Sequence, residues 1–122
     1  RGGPVESYNS SAKEEPIPLV VLVNGSSASA SEIIAGAVQD EKAGVVLGTQ
    51  TYGKGTVQNI LRNFDGQAIK VTIAKYHTPN DRVIDGTGIK PDIEFPLPDG
   101  VRPFWKDNDP QIDKAIEVVQ TL

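Results

Sequence analysis

The sequence predicts an α/β domain, and three stretches carry that prediction. Leu19–Val23 is an unbroken, β-branched apolar run, residues 30–41 follow with apolar positions at helical spacing, and Val45–Leu47 is a second apolar run. Strand, helix and strand with short joints make a βαβ unit, whose crossover is expected to be right-handed.

Taken in order, residues 1–16 are polar, rich in Gly, Ser and Glu, and without periodicity, which reads as a flexible lead-in. Leu19–Val23 lies between prolines and Asn24-Gly25 and has the composition of a strand buried on both faces. The helix from about Ala30 to Glu41 places Ile33, Ile34, Ala37 and Val38 on one side. Gly44 opens the second strand and Gly48 ends it. Thr56–Leu61 then reads as a strand, Asp65-Gly66 as a hairpin turn, and Ala68–Tyr76 alternates with Ile69, Val71 and Ile73 on one face. Residues 79–93 are loop with a short edge strand near Ile89–Ile93. Asp109 is an N-cap with Pro110 at the first helical position, and the closing helix carries Ile112, Ala115, Ile116 and Val119 on a stripe. Residues 17–122 are therefore expected to form one core around a mixed sheet.

Composition narrows the function. At 122 residues the chain is one domain or part of one. Its net charge of −4, with signs mixed along the chain, argues against nucleic acid as a partner. Without cysteine there is neither a disulfide frame nor a thiolate nucleophile, and one histidine without a Cys/His cluster leaves no zinc site. No apolar run approaches the ~20 residues that cross a bilayer. The chain opens on Arg1 and its first strand pattern starts near Pro18, so a piece of a longer protein is expected, with a site shared with the remainder.

The chemistry concentrates in Asn24–Glu32 and Gly48–Gln58. Ser29 stands at a strand-to-helix joint, where free N–H groups and the helix dipole favour developing negative charge, and the Ala30 amide is the natural oxyanion donor. Lys54 follows between Gly53 and Gly55, and glycines on both sides indicate a strained or tightly packed turn. In an extended segment Lys54, Thr56 and Gln58 share one face, so Gln58 is placed to hold the lysine amine toward Ser29. Together they read as a Ser-Lys hydrolase. Lysine is a base only when neutral, so its ordinary pKa of about 10.4 must fall by about 3 units, and burial between the apolar strands is the expected route.

Each residue also has a structural explanation. Ser29-Ala-Ser-Glu32 fits a capping box. Loop lysines are commonly solvated. Gly48, Gly53 and Lys54 have the spacing of a phosphate loop, but Gly55 stands where Ser or Thr is needed and a strand follows where a helix is required. His77, the one histidine, reads as a satisfied or exposed strand-end residue rather than a triad member. Asn9 and Asn24 match the glycosylation pattern, and Asn24 is better explained as a turn residue.

Pro18–Ile33, Gly48–Gln58 with its Tyr-Gly-Lys-Gly-Thr-Val-Gln, Ala74–Pro79 and Gly88–Asp92 together resemble the carboxyl-terminal processing proteases, the tail-specific Ser-Lys peptidases of family S41. The resemblance covers about residues 17–95 and the closing helix. It implies Ser29 as nucleophile, Lys54 as general base, Gln58 as its orienting partner, no cofactor or metal, and a crotonase-like fold. It further implies unstructured protein or peptide C-termini as substrates and an extracytoplasmic setting. The family's upstream Asn-Pro-Gly-Gly-like loop, its catalytic strand and its PDZ domain have no counterpart in these residues, so the isolated chain is expected to be weakly active or inactive and able to self-associate through an unpaired sheet edge. A non-catalytic peptide-binding module on the same fold needs none of Ser29, Lys54 and Gln58, and an acyl-CoA enzyme of similar fold has no Ser-Lys requirement.

Overall fold

The computed structural model describes residues 7–11, 17–101 and 109–122. Among these residues seven elements follow in order: β1 (Val20–Val23), α1 (Ala30–Asp40), β2 (Val45–Gly48), β3 (Thr56–Arg62), β4 (Ala68–Lys75), β5 (Ile93–Glu94) and α2 (Pro110–Val119). Residues 7–11 are exposed and without regular structure; the rest of the expected lead-in lies outside the described residues.

The α/β class, the βαβ unit, the hairpin and the closing helix are as the sequence predicts, but the strands divide between two sheets. β1 and β5 flank β2 in a parallel sheet of order β1-β2-β5, while β3 and β4 pair antiparallel by themselves. Among the described residues no ladder joins the hairpin to the parallel sheet, and β5 takes the edge of β2 opposite β1. Asp92 fixes it there: its amide donates to Val46 O and its Oδ2 accepts from Val46 N–H, both at 2.8 Å.

The core consists of Val23, Ala35, Val38, Val46, Ile84 and Ile89, with Val21 and Tyr76 packed against it. Among the described residues only β2 is buried as a central strand. β1 lies at the sheet edge and keeps Val20, Val21 and Leu22 partly exposed, so its expected burial on both faces is not realised. Ile116 is likewise half-exposed on α2.

The buried stripe of α1 is rotated from the predicted one. Glu32, Ala35, Gly36 and Val38 are buried, whereas Ile34 is 58% exposed. Glu32 turns inward to meet hydrogen-bond donors on the following loop, and the helix phase follows it. Gly36 permits the close approach this requires, since a Cβ there would lie 2.6 Å from Thr78 Cγ2.

Candidate active site

The loop after β1 delivers Ser29 in an uncommon backbone state. Asn24 Oδ1 accepts the Ser26 amide at 2.8 Å, which makes Asn24 the turn residue at the strand end. Ser29 then adopts φ 58 and ψ −116, a conformation that costs a non-glycine residue about 1–3 kcal/mol. Both positions of a capping box are occupied, yet the Ser29 hydroxyl makes no cap bond. The Glu32 amide donates instead to the Ser29 carbonyl oxygen at 2.9 Å, and Glu32 Oε2 accepts the Ser29 amide at 2.9 Å. The Ala30 amide at the first position of α1 has no acceptor among the described residues.

Glu32 joins this turn to the Lys54 loop. It is fully buried, and besides Ser29 its carboxylate accepts from Thr51 Oγ1 at 2.5 Å, Gly53 N at 2.6 Å and Lys54 N at 2.8 Å. Burial alone would raise its pKa; the bonds from Thr51, Gly53, Lys54 and Ser29 outweigh that and hold it below the ordinary 4.5. Thr51 Oγ1 also accepts the Ile89 amide at 2.7 Å, so the loop 84–89 is anchored to the same carboxylate. Sequence reasoning saw Glu32 only as a capping residue, because nothing local marks an acid at the start of a helix as buried.

The glycines beside Lys54 behave as predicted. Gly53 has φ +90, which a side chain would strain, and a Cβ on Gly55 would lie 2.3 Å from the Asp85 amide nitrogen. Asp85 itself pairs with Lys75 at 3.4 Å.

Ser29, Lys54 and Gln58 line one cleft of about 290 Å³, together with Thr56, Val57, Ile60, Lys70 and Tyr76. The structure therefore brings the three sequence-predicted side chains to one place. No hydrogen bond links Lys54 to Ser29 or Gln58 to Lys54 within it. The expected burial of Lys54 is absent, and its side chain is exposed. The cause is the hairpin, whose strand β4 is exposed along its whole length, so no apolar layer covers the cleft among the described residues. A register irregularity opposite Val57 and Gln58 leaves Ile73 unpaired and turns the strand where Gln58 enters the cleft.

His77 lies outside the cleft. Its Nδ1 contacts Asp81 Oδ1 at 2.6 Å on an exposed turn, which accounts for it as a strand-end residue.

The profile of peptidase family S41 matches residues 1–95. The chain is 51% identical over 84 residues to a carboxy-terminal-processing protease of Bartonella bacilliformis, covering 67% of this chain and 19% of that protein. It is 42% identical over 123 residues to a carboxyl-terminal-processing protease of Picosynechococcus, covering 98% of this chain and 29% of that one. Among solved structures, the photosystem II D1 C-terminal processing protease superposes with a TM-score of 0.62 at 45% identity, over 66% of this chain and 22% of that one. The tricorn protease, at 20% identity and a TM-score of 0.59, covers 84% of this chain and 10% of its own and shares the fold. The chain thus spans less than a third of the length of the relatives it matches. With its profile match and its graded identities, the chain belongs to peptidase family S41.

Proposed function

We propose that this chain carries the Ser-Lys dyad of a serine endopeptidase that cleaves unstructured proteins or peptides near their C-termini. The observation that carries the reading is the shared cleft of Ser29, Lys54 and Gln58, with an acceptor-free Ala30 amide beside it. In this scheme Ser29 Oγ attacks the scissile carbonyl carbon while its proton passes to the neutral Lys54 amine. The Ala30 amide stabilises the oxyanion, and the dipole of α1 adds to it. Collapse expels the amine, which takes the proton back from Lys54; water then hydrolyses the Ser29 ester with Lys54 again as base. Gln58 orients the lysine. The backbone strain at Ser29 supports the reading, since such strain concentrates where a side chain must be presented at a fixed angle.

An extracytoplasmic or organellar setting belongs to the same reading and rests on the family resemblance, with several relatives named as chloroplastic. A non-catalytic peptide-binding module is the second reading, favoured by the exposure of Lys54. It gives no reason for a strained serine at the cleft. The test is Ser29→Ala in the full-length protein, assayed on an unstructured peptide with an apolar C-terminus. Cleavage should fall to a few per cent or less with the fold intact; a variant that keeps its rate moves the nucleophile to another residue, and a wild type that binds the peptide without cleaving it returns the chain to the binding-module reading.

A further inference from the structure

The net charge of −4 conceals a local excess of the opposite sign. Residues 54–76 carry Lys54, Arg62, Lys70 and Lys75 against a single acid, Asp65 in the hairpin turn. Lys75 is paired with Asp85, but neither Lys54 nor Lys70 is in an ion pair among the described residues. Lys70 stands directly across the ladder from Ile60, and both line the cleft with Ser29. Two positions along β3 from Ile60, Arg62 continues the same face opposite the small Ala68. Among the described residues the cleft lining includes no carboxylate. Glu32, the acid that joins its two edges, is buried and occupied by four donors.

From this arrangement we infer that Lys70 is a specificity-determining residue that selects a carboxylate on the substrate close to the scissile bond, with Arg62 extending the attraction along the hairpin. The inference rests on the peptidase reading above. An apolar floor at Ile60 beside a cation at Lys70 suits a side chain with a methylene stem and an acidic tip, or the terminal α-carboxylate of a short leaving peptide. Lys54 is reserved for proton transfer, so a second cation is required for recognition. With Lys70 exposed, the selectivity is that of a partly screened ion pair, and it weakens as salt rises.

The experiment uses the full-length protein and two peptide pairs: one differing by Glu against Gln beside the cleavage site, the other by a free against an amidated C-terminus. The readout is the ratio of kcat/KM within each pair, which a general loss of activity does not move. The wild type should favour the charged member of at least one pair by about fivefold. Lys70→Arg should keep that preference, Lys70→Gln should level it, and Lys70→Glu should reverse it. A response confined to the Glu/Gln pair identifies a side-chain carboxylate, and one confined to the terminus pair identifies the α-carboxylate. Ratios that stay the same in Lys70→Glu overturn the inference and leave the dyad untouched. Cleavage that survives Ser29→Ala overturns the dyad instead, whatever the ratios do.

Discussion

Ser29 and Lys54 donate their backbone amides to the same oxygen atom, Glu32 Oε2, at 2.9 and 2.8 Å. The two segments that bear the proposed nucleophile and base therefore have their spacing set by one buried carboxylate. Its other oxygen holds Thr51 and Gly53, which leaves the base loop little freedom to drift.

Replacing Glu32 should consequently cost both stability and rate. Glu32→Gln keeps the shape but points an amide N–H₂ at backbone N–H donors. Each donor left unpaired in a buried site costs about 1–3 kcal/mol, so a loss near 3 kcal/mol or more is expected. Denaturant unfolding of the full-length protein and its variant measures it. A loss under 1 kcal/mol would mean that the four bonds are not cooperating.

The same carboxylate sets an acid limit. Glu32 is held below its ordinary 4.5 and Asp40 below its ordinary 3.8. For Asp40 the leading cause is the Thr78 hydroxyl bond; burial opposes it, and the Asn80 amide and Arg82 add to the lowering. A depressed folded pKa contributes stability above the unfolded value and loses it as pH falls through the folded one. Unfolding midpoints should therefore decline below about pH 4.5, and Glu32→Gln should flatten part of that decline. Equal slopes in the two proteins would show that Glu32 is not the titrating group.

Ser29→Gly separates the strain from the chemistry. Glycine adopts φ 58 without penalty, so relief of about 1–3 kcal/mol offsets its greater chain entropy of about 0.5–1 kcal/mol. The glycine variant should be at least as stable as the wild type and inactive on peptide. Destabilisation beyond 1 kcal/mol would assign the serine hydroxyl a structural role that the absence of a cap bond does not suggest.

Lys54→Arg should be inactive, because a guanidinium cannot give up its proton to serve as base. Gln58→Ala should retain more activity than either dyad change, since it orients the amine and does not take the proton. Steady-state rates on one peptide rank the variants, and an active arginine enzyme would move the base elsewhere.

Much of this was legible in the sequence because it depends on local pattern. The runs Val20–Val23 and Val45–Gly48, the Asp65-Gly66 turn and the Asp109-Pro110 cap are short-range signals, and the structure reproduces them. Asp109 accepts the Gln111 amide at 2.9 Å as an N-cap should. The pairing of β5 with β2 was not legible, because it depends on Asp92 meeting Val46 across 46 positions. Nor was the rotation of α1, which follows from a buried acid whose partners come 19 to 22 residues later. Ile84 and Ile89 sit in a glycine-rich loop without periodicity, yet both are core residues. For the site, residue identity pointed to Ser29, Lys54 and Gln58, but the exposure of Lys54 is a tertiary property of an uncovered hairpin.

That hairpin leads to a further expectation for the isolated 122-residue chain. Ile60, Leu61, Ile69, Val71 and Ile73 are between 38% and 66% exposed, on both faces of a two-stranded sheet. An open, apolar sheet of this kind is an association site. The isolated chain should run larger than a monomer in light scattering at micromolar concentration, and Ile69→Lys with Ile73→Lys should reduce it. A monomer at all concentrations would contradict the association.

Trapping the acyl-enzyme reports whether Ser29 is the nucleophile. The full-length protein is treated with a slowly turning-over activated ester, quenched in acid, digested and mapped by mass spectrometry. One acyl group on Ser29 is predicted, absent from Lys54→Arg. An adduct on another residue, or steady cleavage with no adduct at Ser29, would contradict the account.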